Sequence, residues 1–197
     1  MKLAPLPSPT LATRPLPTIV LPPGTRLVRI HWPGNALFFG PVPRTPPRNR
    51  FDSPTGVFGI CYMAMHTAGA FAETFLRGGL VPLVTETELR AREWSQLEVT
   101  APLTVVPCHG RALARLGTTS AISSGAYSRS RMWSAALHDH QEAPDGLRYR
   151  SRHNDDQLCV ALFDRASAKV RVSDTLPLLH PSTGVYEAIE RHGVAVR

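Results

Sequence analysis

Apolar and polar positions divide the chain into short segments, some repeating every second residue and some every third to fourth. In residues 25–32, TRLVRIHW, the alternation and the β-branched content predict a strand that carries Arg29. Residues 56–65, GVFGICYMAM, form a nearly unbroken apolar run after turn signals, the pattern of a buried strand. HTAGAFAETFLRGG follows, with Ala68, Phe71, Ala72 and Phe75 at helical spacing and Gly78 and Gly79 as the stop. Glu73 therefore rides on a helix that directly follows a strand. Residues 97–108 alternate over enough length for one strand or two, and GRALARLG predicts a short helix. Residues 127–140 predict a second helix, with Met132, Ala135 and Ala136 as its repeat. PDGLRYRSR places a turn at 144–146 and then a strand, with Leu147, Tyr149 and Ser151 on one face and Arg148, Arg150 and Arg152 on the other. QLCVALF and KVRVSD predict further strands, and STGVYEAIERHG a closing helix.

Strands and helices mix without a regular βαβ alternation, so the fold class is α+β. The 197 residues suit one domain. Pro5, Pro7, Pro9, Pro15, Pro17, Pro22 and Pro23 mark residues 1–24 as an extended proline-rich arm, denied ladder hydrogen bonds and helix continuity, ahead of a domain at 25–197. Pro41, Pro43, Pro46 and Pro47 predict an ordered loop leading to an arginine-flanked turn. With 43% hydrophobic and 19% charged residues, the body is globular in composition. The first residues lack the apolar run of a secretory signal, and no stretch approaches the roughly 18 apolar residues of a membrane span, so the expected compartment is the cytoplasm. Cys61, Cys108 and Cys159 are too far apart for a zinc knuckle, and their odd number argues against a disulfide framework.

The net charge is +7, and Lys2 and Lys169 are the only lysines. An arginine-rich surface favours anionic partners, because the guanidinium fork matches phosphate in a bidentate way. One alternative is a basic nucleic-acid-binding module, but the arginines are scattered and no recognised binding motif is present. No nucleotide-binding glycine loop occurs. His138 and His140 do not share a helix face, which predicts an exposed helix end and no metal site. Cys108 and His109 read as a buried thiol beside a solvated imidazole, since adjacency alone makes no nucleophile and base. His31, His66 and His153 are left outside the predicted site. What remains is a dispersed set: Arg29, Arg50, Tyr62, Glu73 and Ser151. Glu73 stands out, because a carboxylate among Phe71, Ala72, Thr74 and Phe75 sits near an apolar face where charge is costly without a task.

The order of these residues resembles the RES-domain family, named for an arginine, a glutamate and a serine. Arg29 lies early in a short strand, Arg50 and Phe51 precede Gly56, and Tyr62 is followed by Ala68, Ala72 and Glu73. Trp133, Ala135 and Leu137 then lead to Asp145, Gly146, Tyr149, Ser151 and Arg152, and to an apolar strand ending in Leu162 and Phe163. Two departures stand against this: NRF where members often carry a glycine-arginine-tryptophan turn, and Cys108-His109 where they often carry an acidic residue. The resemblance implies a fold similar to ADP-ribosyltransferase toxins and an enzyme, without cofactor or metal, that breaks the nicotinamide–ribose bond of NAD. Phosphate as co-substrate would make it an NAD phosphorylase; water would make it an NAD glycohydrolase, and a protein acceptor a mono-ADP-ribosyltransferase. In that scheme Glu73 stabilises the charge developing on the ribose. Arg29 and Arg50 grip the pyrophosphate or an incoming phosphate, Tyr62 stacks on nicotinamide, and Ser151 hydrogen-bonds a ribose hydroxyl or phosphate. The resemblance further implies the toxin half of a toxin–antitoxin pair, held by an Xre-like antitoxin, with a homo-oligomer within that complex as a further expectation. The helix-turn-helix of that antitoxin would contact DNA, for this chain shows none of its own.

Overall fold

The computed structural model describes residues 3–40, 46–78 and 83–197. Along the chain run β1 (Ile19–Leu21), β2 (Arg26–His31), β3 (Ile60–Ala64), α1 (Thr67–Phe75), β4 (Leu83–Val84), α2 (Glu86–Arg90), β5 (Glu93–Val99) and β6 (Leu103–Pro107). They continue with α3 (Ala112–Leu116), α4 (Ala121–Ser124), α5 (Tyr127–His138), β7 (Gly146–Arg150), β8 (Leu158–Phe163), β9 (Val170–Pro177), α6 (Val185–Arg191) and β10 (Ala195–Val196). Eight strands form one sheet in the order β1-β6-β7-β8-β3-β2-β5-β9. Its neighbours are antiparallel except β6 and β7, whose parallel pairing needs the crossover through α3, α4 and α5. The α+β expectation is met, and residues 97–108 make parts of two strands.

Alternation sends successive side chains of the central strands into two cores. Ile60, Ala64, Ala161 and Phe163 pack with the helices, whereas Cys61, Met63, Val160 and Leu162 pack with Leu27, Leu97 and Leu103. All three cysteines are free and buried, and burial raises each thiol pKa, that of Cys108 to about 12. The native protein is therefore expected to give no fast reaction with a thiol reagent at pH 8 and three reactive thiols once unfolded in guanidinium; rapid native labelling would contradict this burial.

Three local expectations need correction. The proline-rich arm is part of the fold, for β1 pairs antiparallel with β6 at Ile19↔Val105. Prolines flank this three-residue strand without interrupting it, and it lies at a sheet edge, where a missing donor does no harm. Leu11, Leu16 and Leu21 are buried, and Trp133 Nε1 donates to the Pro5 carbonyl at 2.8 Å. In α5 the buried face is Ser130, Trp133, Ser134 and Leu137, while Met132 is exposed. The fully buried Trp133 sets the helix's rotation, and the serines are tolerated inside because Ser130 Oγ donates to the Ile122 carbonyl and Ser134 Oγ to the Phe51 carbonyl, both at 2.6 Å. His140 is not at an exposed helix end either: it is buried, with Nε2 2.9 Å from the Leu11 carbonyl oxygen. Gly79, Pro41 and Pro43 lie outside the described residues. No helix among the described residues is long and apolar enough to cross a membrane.

Candidate active site

The site begins with the small residues of α1. Ala68, Gly69, Ala70 and Ala72 are buried, and a Cβ on Gly69 would stand 3.2 Å from those of Ala64 and Gln157, so the helix lies close on β3 and β8. This carries its C-terminal turn over the place where β2 and β3 part, since those strands share only the pair Val28↔Ala64. A cavity of about 160 Å³ opens there, lined by Arg29, Tyr62, Glu73, Arg77, Tyr149 and Cys159 among others. Glu73 Oε1 is buried in it without a hydrogen-bond partner among the described residues. The Arg77 guanidinium bonds the backbone carbonyl of Glu73. An uncompensated buried carboxylate oxygen is costly, and such groups are retained where a ligand completes them.

Tyr62 and Arg29 border this cavity in different ways. The Tyr62 hydroxyl donates to Asp52 Oδ1 at 2.9 Å and accepts from Phe51 N at 3.0 Å, and Asp52 Oδ2 accepts from the amides of Arg48 and Asn49. Burial and then the Asp52 charge push the phenol well above its ordinary pKa, so Tyr62 is a rigid neutral wall that ties down the 48–52 turn. Arg29 alternates toward the opposite core: its Nη1 donates to the Phe38 carbonyl at 3.0 Å and to Cys61 Sγ at 2.6 Å. It reaches the cavity at the gap between the strands.

Ser151 and Arg50 stand apart. β7 starts at Gly146, where a Cβ would sit 2.3 Å from the Ala161 carbonyl oxygen, so only glycine lets β7 lie against β8. Asp145 anchors the preceding corner through Thr104 N and Lys169 Nζ, each at 2.8 Å. Ser151, just beyond the strand, is buried; its Oγ accepts from the amides of His153 (3.1 Å) and Asn154 (3.3 Å), folding the chain into a tight turn. It lines a second cavity of about 540 Å³ with Ser120, Ser123, Ser124, His153 and Asn154. Arg50 is buried, its Nη1 donating to the Gly125 carbonyl at 2.8 Å and its guanidinium 4.5 Å from the Tyr127 ring centroid. Its Nη2 is buried without a partner among the described residues, and burial lowers its pKa. The structure thus gathers Arg29, Tyr62 and Glu73 at one cavity, puts Ser151 on another and leaves Arg50 lining neither.

His153 lines the second cavity; burial lowers its pKa, the charge of Glu73 opposes that, and Arg152, Arg77 and Arg50 add to it. Residue reasoning set it aside and also missed Arg77 and Tyr149. Signals existed: Arg77 is one helical turn beyond Glu73, and Tyr149 stands two residues before Ser151. His109 is half-buried, not solvated, and Arg148 Nε donates to its Nε2 at 3.1 Å, which keeps the imidazole neutral with its proton on Nδ1. Burial, the leading cause in each, lowers the pKa of His31, His109 and His153. Below pH 6.5 the unfolded chain binds these protons before the folded one does, so stability is full above 6.5 and declines as pH falls toward the folded values. Denaturant midpoints measured from pH 7.5 to 5.5 should fall accordingly; a midpoint that rises would contradict neutral histidines.

Fold and site together define a class: an α+β protein with a large curled mixed sheet, flanking helices, and a cleft where a carboxylate meets arginines and tyrosines. Residues 25–180 match the RES domain, and the chain belongs to the RES-domain family. A probable toxin of Sinorhizobium fredii, y4kH, is 34% identical over 93 residues, covering 47% of this chain and 72% of that protein. Among solved structures, the M. tuberculosis MbcT–MbcA toxin–antitoxin complex contains a chain that matches with a TM-score of 0.64 at 15% identity, over 87% of this chain and 92% of that one, a likeness of fold.

Proposed function

We propose that this chain is the toxin of a toxin–antitoxin pair and that it breaks the nicotinamide–ribose bond of NAD, with inorganic phosphate as acceptor. The observation that carries the reading is the buried, unpartnered Glu73 oxygen facing a cavity edged by Arg29, Tyr62 and Arg77. As the C1′–N bond breaks, its electron pair neutralises the pyridinium, nicotinamide leaves, and positive charge develops on the ribose. A fixed carboxylate close by lowers that transition state, more strongly than in water because the site is partly dry. A phosphate oxygen then bonds C1′, giving ADP-ribose phosphate. Arg77 and Arg29 suit the pyrophosphate, the neutral Tyr62 ring suits nicotinamide, and the hydroxyl-lined cavity of Ser151 suits the acceptor side.

Incubating the protein with NAD, with and without phosphate, and separating the products by chromatography tests this. NAD loss with ADP-ribose phosphate as product is expected. ADP-ribose as product would mean water is the acceptor, label on protein would mean an ADP-ribosyltransferase, and no consumption would overturn the reading. The names of the relatives support an antitoxin as partner, the net charge of +7 suits one with an acidic face, and the family reading makes it Xre-like, in the cytoplasm where NAD is available. DNA contact belongs to that partner and no cofactor is needed.

A further inference from the structure

The three tryptophans of the chain differ sharply. Trp133 and Trp94 are buried and their indole N–H groups are used, Trp133 on the Pro5 carbonyl and Trp94 on Thr67 Oγ1 at 2.9 Å. Trp32, just past β2, is 56% exposed, and its indole N–H has no partner among the described residues. The Arg92 guanidinium lies 3.2 Å from its ring centroid, and the Arg92 Nη1 is buried without a hydrogen-bond partner there. An arginine spread on an aromatic ring forms a flat platform that retains free donors. Trp32 and Arg92, with the exposed Phe38, line a cavity of about 540 Å³ that shares Arg29, Tyr62 and Arg77 with the Glu73 cavity.

Glu73 borders only the smaller cavity, the two arginines border both, and Trp32 and Arg92 border only the larger. Carboxylate, then guanidinium groups, then an aromatic platform is also the order of a nicotinamide ribose, a pyrophosphate and a purine nucleoside along a dinucleotide. We infer that Trp32, backed by Arg92, is the stacking platform for the adenine base of the substrate, and that it selects a dinucleotide over a mononucleotide. The inference rests on the NAD reading above. Stacking on an aromatic ring is indifferent to base identity, so the platform contributes affinity, while Arg92 holds the ring in place from its other side.

Two measurements on the full chain test it. Because Trp94 and Trp133 are buried, titration with ADP-ribose should quench the indole fluorescence of the wild-type protein saturably and leave Trp32→Leu unquenched. In turnover, Trp32→Leu should raise the KM for NAD about tenfold with kcat within about twofold, Trp32→Phe should recover most of that, and the KM for nicotinamide mononucleotide, which lacks the adenylate, should move less than about twofold. Quenching that persists in Trp32→Leu, or equal KM changes for both substrates, would overturn the platform while the NAD reading stood. Saturable quenching through Trp32 without NAD turnover would instead sink the NAD reading and leave the base subsite in place.

Discussion

Glu73→Gln should lower NAD consumption by roughly 10²–10⁴-fold, the range that a positioned carboxylate contributes by charge stabilisation or proton transfer. The loss belongs in kcat, with KM little changed, because the carboxylate acts on charge that exists only in the transition state. Glutamine keeps the length and packing of the α1 turn, and Glu73 Oε1 has no protein partner to lose among the described residues. Removing an unpaired buried charge should leave the melting temperature unchanged or raise it. That combination, activity lost and stability kept, separates a site carboxylate from a structural one. Rates from timed chromatography, set beside a thermal melt of the same preparation, measure both. A variant that consumes NAD at the wild-type rate would remove Glu73 from the mechanism, and one that is inactive only because it unfolds would show it in the melt.

Trp133→Ala should be the most damaging single change to the fold. Trp133 is fully buried at the centre of the face that α5 presents, and its indole N–H holds the chain at Pro5. Truncating a buried aromatic costs about 3–5 kcal/mol, against a total stability of about 5–15 kcal/mol. For a chain of this size that corresponds to a melting temperature roughly 6–20 °C lower. Trp133→Phe, which keeps much of the apolar contact but loses the N–H and part of the ring, should cost less, about 1–3 kcal/mol. The same thermal melts decide it: a melting temperature unmoved by Trp133→Ala would mean that residues 5–16 are not held on α5, contrary to the burial of Leu11 and Leu16.

The elements of the fold were largely legible because short-range pattern encodes them. The apolar run at 60–64 and the spacing of Ala68, Phe71, Ala72 and Phe75 give β3 and α1, and with them the helical seat of Glu73. The alternation after Gly146 gives β7 with Leu147 and Tyr149 buried, but the strand ends at Arg150, and Ser151, expected on the same face, sits in the turn beyond it. Legibility failed where a residue's role depends on a distant partner. Prolines argue against a strand at 19–21, yet the free edge of β6 accepts one. Ser130 and Ser134 look like surface residues until the carbonyls of Ile122 and Phe51 accept their protons.

The same division runs through the site. By itself the sequence determined the central elements β2, β3, α1, α5, β7 and β8, the basic charge, and the residue types Arg29, Tyr62, Glu73 and Ser151, because composition and periodicity are properties of neighbouring residues. Only the tertiary structure decided that Arg29 reaches the Glu73 cavity through a gap between β2 and β3, that the Tyr62 hydroxyl is bound to Asp52, and that Ser151 lines a separate cavity. It also brought Arg77, His153 and Trp32 to the cleft. Which side chains meet across a sheet depends on strand order, register and the splay between strands, and these are set by the packing of the whole chain.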